Sequence, residues 1–102
     1  MSYNYELTNN VKKLLDIFSL LKTPNEIENF VVDLFTPQEL EEFALRWKLA
    51  VELEKGKNQR QIAREVNCSV TTVSRASKVK QFCTGSFNKI FKANPYLYNN
   101  KS

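Results

Sequence analysis

A chain of 102 residues with 42% hydrophobic side chains fits one domain with a modest core, because small domains bury a smaller share of their surface. No apolar run is long enough to span a membrane, and Met1-Ser2-Tyr3-Asn4-Tyr5-Glu6 lacks the basic and apolar regions of a signal peptide. The absence of histidine and the two widely spaced cysteines, Cys68 and Cys83, leave a zinc site or a catalytic centre without material and point to the cytoplasm with both thiols reduced.

The apolar spacing is helical nearly throughout. Val11, Leu14, Leu15, Phe18 and Leu21 follow the three-and-four rhythm of one helical face, and Ile27, Phe30, Val31 and Leu34 repeat it. Thr23-Pro24-Asn25-Glu26 and Thr36-Pro37-Gln38-Glu39 are helix starts. In each, the threonine caps the first turn, the proline sits where a missing N–H costs nothing, and the glutamate reaches back to the cap. The helix from Pro37 should run to Lys55, with Gly56 free to take a left-handed exit. Its apolar residues, Leu40, Phe43, Ala44, Leu45, Trp47, Leu49, Ala50, Val51 and Leu53, cover more than one stripe, which predicts burial against a second copy of the chain as well as against its own core. Trp47 reads as a core aromatic, while Glu39, Glu41, Glu42, Glu52 and Glu54 read as a solvated rim.

After Gly56 the composition changes. Residues 1–54 carry five basic and ten acidic side chains, whereas residues 55–92 carry nine basic ones against Glu65 alone. Such an asymmetry is the footprint of a polyanion-binding face on a separate scaffold. Within this basic stretch Gln59–Val66 forms a short helix, Asn67-Cys68-Ser69 breaks it, and a second helix runs from Val70 to about Phe82. Ala63 supplies the small residue where two helices touch, and Ile62, Val66 and Val73 pack the corner. Asn67 tolerates positive φ at the turn, and Ser69 caps the second helix. The pattern is a helix-turn-helix. Gln59, Arg60, Val70, Thr71, Thr72 and Ser74 are candidates to meet base edges and thymine methyls in a major groove. Lys57, Arg64, Ser69, Lys78 and Lys80 are candidates for phosphates. Phe87, Ile90 and Phe91 suggest one last short helix, and Asn94–Ser102 reads as a frayed tail.

These residues resemble the Trp repressor family, most closely its short YerC/YecD-type branch. The resemblance runs through Phe35-Thr36-Pro37-Gln38-Glu39-Leu40-Glu41, Arg46, Glu52-Leu53-Glu54-Lys55-Gly56, Gln61-Ile62-Ala63 and Thr72-Val73-Ser74-Arg75. It implies an all-α fold of about six helices in an intertwined homodimer that binds a palindromic operator on double-stranded DNA and regulates transcription, as a repressor. Residues 1–56 would form core and dimer interface, 57–82 the reading head, and 83–102 a short helix and tail.

The resemblance also implies an effector pocket, in which Thr36, Arg46 and Arg75 match positions that line the site for L-tryptophan. Ala76 stands where that site has glycine, so its methyl would crowd an indole. Val79 stands where it has a serine, and cannot accept a hydrogen bond. The turn after Gly56 is also one residue shorter. Tryptophan is therefore not the expected effector, no other cofactor is implied, and Arg46 and Arg75 are expected to find partners among the acidic residues of the long helix. Two other readings compete. A non-catalytic helical scaffold would bind DNA weakly and without sequence preference, and an accessory DNA-binding module would lack regulatory specificity.

Overall fold

The computed structural model describes residues 6–99. Among them seven helices form and no strand: α1 (Asn9–Leu20), α2 (Pro24–Leu34), α3 (Pro37–Glu54), α4 (Gln59–Val66), α5 (Val70–Phe82), α6 (Ser86–Ala93) and α7 (Tyr96–Asn99). The chain divides into two compact units, and the division falls inside α3, between Glu42 and Phe43.

In the first unit the helix starts are fixed by side chains. Thr8 Oγ1 accepts from the Val11 N–H at 3.3 Å and begins α1. Thr23 Oγ1 accepts from the Glu26 N–H at 3.1 Å while Glu26 Oε1 accepts from the Thr23 N–H at 3.1 Å, a complete capping box with Pro24 in the first turn. The same reciprocal pair recurs at Thr36 and Glu39, at 3.1 and 2.8 Å, and begins α3. Each such cap satisfies donors that a helix end otherwise leaves unpaired. Phe18 of α1 meets Phe30 of α2 edge to face, with ring centroids 5.3 Å apart. Yet no residue of α1 or α2 is buried. Leu15, Ile17, Leu20, Ile27, Val32 and Leu34 are 41 to 66% exposed.

The second unit holds a core. Leu49 of α3, Ile62 and Ala63 of α4, and Val73 of α5 are buried together. Leu45, Leu53, Val66, Cys68 and Ala76 pack around them. α3 ends at Glu54, one residue short of the expected Lys55, and the chain turns at Gly56, whose N–H donates to the Leu53 carbonyl at 3.0 Å. Gly56 adopts φ +90° with open space where a Cβ would stand, so its glycine is required by backbone conformation and not by crowding. A second cluster is aromatic: Trp47 stacks on buried Phe91 at 5.1 Å and meets Phe87 edge to face at 5.5 Å. Cys68 and Cys83 are both free thiols, the first half-buried and the second exposed.

The helix count corrects the sequence reading, which gives about six and leaves Asn94 onward as a frayed tail. α7 forms because the Asn94 carbonyl accepts from Leu97 N–H, the Pro95 carbonyl accepts from Tyr98 and Asn99 N–H, and Tyr98 packs edge to face on Phe91 at 5.7 Å. A four-residue helix has too little internal bonding to persist alone, so the aromatic contact is what holds it. Asn100, Lys101 and Ser102 of the expected tail lie outside the described residues. No described helix is long and apolar enough to cross a membrane.

Candidate nucleic-acid interface

The two helices of the basic stretch are built by local signals. Asn58 caps α4 by accepting from the Gln61 N–H at 2.8 Å, a start that sequence reasoning did not assign. α4 then places Ile62 and Ala63 inward. At its end Asn67 adopts the left-handed conformation, φ 63° and ψ 55°, and the Ala63 carbonyl accepts from Asn67 and, at 3.0 Å, from Cys68. This closes the helix and turns the chain within two residues, which asparagine permits at lower cost than a branched residue. Ser69 Oγ accepts from the Thr72 N–H at 3.0 Å and starts α5. Its hydroxyl also pairs with that of Thr72 at 2.8 Å. Val73, fully buried, anchors α5 against α4.

What α5 leaves outside is informative. Val70, Thr71, Arg75 and Lys78 are exposed, and Thr71, Arg75 and Lys78 share one face by their spacing of four and three. Ser74 is half-buried beside them. Thr72 is half-buried, with its hydroxyl engaged by the cap. On α4, Arg60 and Arg64 are exposed and Gln59 is half-buried. Neither arginine forms an ion pair with any described residue.

Two of the phosphate candidates are otherwise occupied. Lys57 Nζ donates to Glu52 Oε1 at 2.6 Å and to Glu65 Oε1 at 2.8 Å. Lys80 Nζ lies 2.6 Å from Glu54 Oε1, donates to Asn88 Oδ1 at 3.0 Å, and stands over the Phe91 ring at 5.7 Å. Of the expected solvated acidic rim, Glu39, Glu41 and Glu42 are exposed, and the structure corrects the expectation at the other two. Glu52 is 3% exposed, and Glu54 is half-buried.

Glu52 is a buried carboxylate ringed by ammonium groups. Lys55 Nζ lies 2.9 Å from Oε2, off the hydrogen-bonding direction, and Lys48 is further out at 3.8 Å. Burial by itself raises the Glu52 carboxyl, but the hydrogen bond from Lys57 and the contact with Lys55, helped by both charges, outweigh it and hold the group below its ordinary value. The same bonds, from Glu52 first and Glu65 second, push the Lys57 ammonium above its usual range. Glu65 is lowered by Lys57 and then by Gln61, whose amide donates to it at 3.3 Å. Sequence reasoning missed this cluster. Its only trace is a glutamate inside the apolar run of α3 followed by two lysines, Lys55 and Lys57.

The residues of the expected effector pocket have separate local roles. Thr36 spends its hydroxyl on the cap of α3. Arg46 places its guanidinium over the Phe43 ring at 5.4 Å, and Arg75 is exposed. Neither pairs with a carboxylate of the long helix among the described residues, which corrects that expectation. Ala76 packs against the core. Val79 instead lines a small pocket of about 30 Å³ with Lys80, Cys83, Gly85, Ser86 and Phe87, room for about one water.

Comparison with known proteins fits this geometry. No curated protein and no solved structure matches the chain. The family model described as Trp repressor protein matches residues 9–94, a span that takes in α1 to α6 and so the whole helix-turn-helix. The chain belongs to the Trp repressor family of helix-turn-helix DNA-binding regulators.

Proposed function

We propose that the protein is a sequence-specific transcriptional repressor, of the family's short YerC/YecD-type branch, that binds a palindromic operator as a homodimer. The observation that carries this reading is the exposed face of α5. A hydroxyl and a methyl group at Thr71, a branched apolar side chain at Val70, and the cations Arg75 and Lys78 project from a helix whose N-terminus is capped and whose opposite side is buried. Short side chains suit base edges and thymine methyls, and the flanking cations suit phosphates. Arg60 and Arg64 extend the cationic surface along α4. Arg75, assigned by resemblance to an effector pocket, fits better as a DNA contact, because it is exposed one turn beyond Thr71. Lys57 and Lys80 are weaker phosphate candidates than Lys78, since each is held by carboxylates.

Dimerisation is supported by the apolar side chains that α1 and α2 leave exposed, more than an isolated small unit keeps in water. A twofold dimer presents two α5 helices to successive major grooves, so half-sites lie about one helical turn apart, roughly 34 Å. Tryptophan is not the effector in this reading, because Ala76 and Val79 supply a methyl and an apolar group where the ligand needs space and an acceptor.

The test is selection of bound sequences from a random duplex pool by the purified protein, in parallel with and without L-tryptophan. The expected result is a palindrome enriched equally in both arms. Enrichment only with tryptophan would overturn the reading of Ala76 and Val79, and no enrichment in either arm would favour a non-specific scaffold.

A further inference from the structure

Two lysines stand at the joints between the reading head and α3. Lys57 follows the exit of α3 and precedes α4. It bridges Glu52, buried in α3, and Glu65, exposed on α4. Lys80 is near the end of α5 and reaches Glu54, two residues beyond Glu52 on α3. Each helix of the head is therefore joined to the C-terminal turns of α3 by an ionic contact of 2.6 to 2.8 Å. The same three helices share the apolar core of Leu49, Ile62, Ala63 and Val73. Lys80 is also hydrogen-bonded to Asn88, and the Asn88 amide donates back to the Lys80 carbonyl at 3.4 Å, which draws α6 into the same joint.

The hydrophobic driving force behind that core is non-directional, so the choice of one orientation falls to side-chain interdigitation and to polar contacts. Directed charge contacts from α4 and α5 to α3 add an orientational preference to that packing. A head fixed by its own side chains needs no bound small molecule to set its orientation, whereas a hinged head does. We infer that Lys57 and Lys80 act as positioning residues, two staples that hold the head to α3 in the orientation that reads DNA and so take the place of an effector. This rests on the proposal that α5 reads DNA.

The test removes the carboxylates, not the lysines, because the sign of the effect then separates the staple from simple electrostatics. Glu54→Gln and Glu65→Gln each delete a negative charge beside a basic surface; the first releases Lys80 from its carboxylate, and the second leaves Lys57 on Glu52 but cuts its link to α4. Electrostatics alone therefore raises affinity for every duplex equally. Loss of a staple instead lowers the ratio of operator affinity to affinity for an unrelated duplex. For the double variant, in protein dialysed free of small molecules, we expect that ratio to fall about tenfold. Amide exchange in α4 and α5 should rise relative to the α3 amides around Leu49. Lys57→Arg and Lys80→Arg keep a charge at each joint and should hold both readouts near the wild-type values. An unchanged ratio with unchanged exchange in the double variant overturns the inference. If the wild-type protein itself prefers no duplex, the functional proposal fails, and the exchange arm alone then decides whether the staples hold the head.

Discussion

The first compact unit and the second bury their surface in opposite ways. In α1 and α2 no residue is buried and six large apolar side chains are at least 41% exposed, although helix caps and the Phe18–Phe30 pair give the unit well-defined local structure. From Phe43 onward, Leu49, Ile62, Val73 and Phe91 are essentially inaccessible, and even a charged group, Glu52, is buried beneath lysines that themselves reach solvent. Local helix signals and tertiary burial are thus separable. A segment can be told to be helical by its caps and still lack the partner that makes it stable. In the proposed assembly, the first unit obtains its missing surface from a second copy, while the second unit presents the head.

The comparison breaks most readily in the core. Ile62→Ala should cost about 2–5 kcal/mol in urea denaturation, since a fully buried side chain between α4 and α5 leaves a cavity when truncated. If the second unit is as self-sufficient as its burial indicates, the loss appears in its own unfolding transition, followed by Trp47 fluorescence.

Next in size is the first unit. Leu20→Glu combined with Val32→Glu places charges on side chains that are 66% and 59% exposed. These sites cost little in a lone chain but carry a penalty inside a dimer interface. Sedimentation velocity should show at least about a hundredfold weaker dimerisation. A purely monomeric wild-type protein would contradict the proposed role of this surface.

The Glu52 cluster comes third. Glu52→Gln removes the counter-charge of Lys55 and one partner of Lys57, and should cost about 1–3 kcal/mol at neutral pH. That is less than for a fully enclosed pair, because the lysines reach solvent. The sign of the pH dependence follows from the lowered carboxyl. Its stabilisation is fully present above its ordinary value of 4.5 and is lost as pH falls through the lower folded value. The wild-type protein should therefore lose stability on acidification more steeply than Glu52→Gln does, and parallel acid limbs would count against the cage. Smallest is Ser69→Ala, which removes the cap of α5 and should lower stability by about 1 kcal/mol.

Most of the second unit's backbone was legible in the sequence, for reasons that are local. Gln59–Val66 and Val70–Phe82 form as expected because Asn67 tolerates a left-handed backbone and Ser69 offers an oxygen at the right offset. Both properties belong to single residues. What was not legible depends on residues arriving from elsewhere. Glu52 reads as solvated until Lys57, beyond the Gly56 turn, folds back onto it. Lys57 and Lys80 read as free cations until their carboxylates are placed. α7 forms because Tyr98 finds Phe91, a pairing that no local pattern announces.

The central claim is that α5 reads bases, and Thr71 is its most direct probe, being an exposed hydroxyl near the capped start of that helix. The decisive measurement is the affinity of wild-type protein and of Thr71→Gln for every single-base variant of the selected site. The account predicts that preference changes at one symmetry-related pair of positions, by about 1–3 kcal/mol per half-site, with the rest of the profile unchanged. A uniform loss that leaves the profile intact would show that α5 touches only the backbone, and would contradict it.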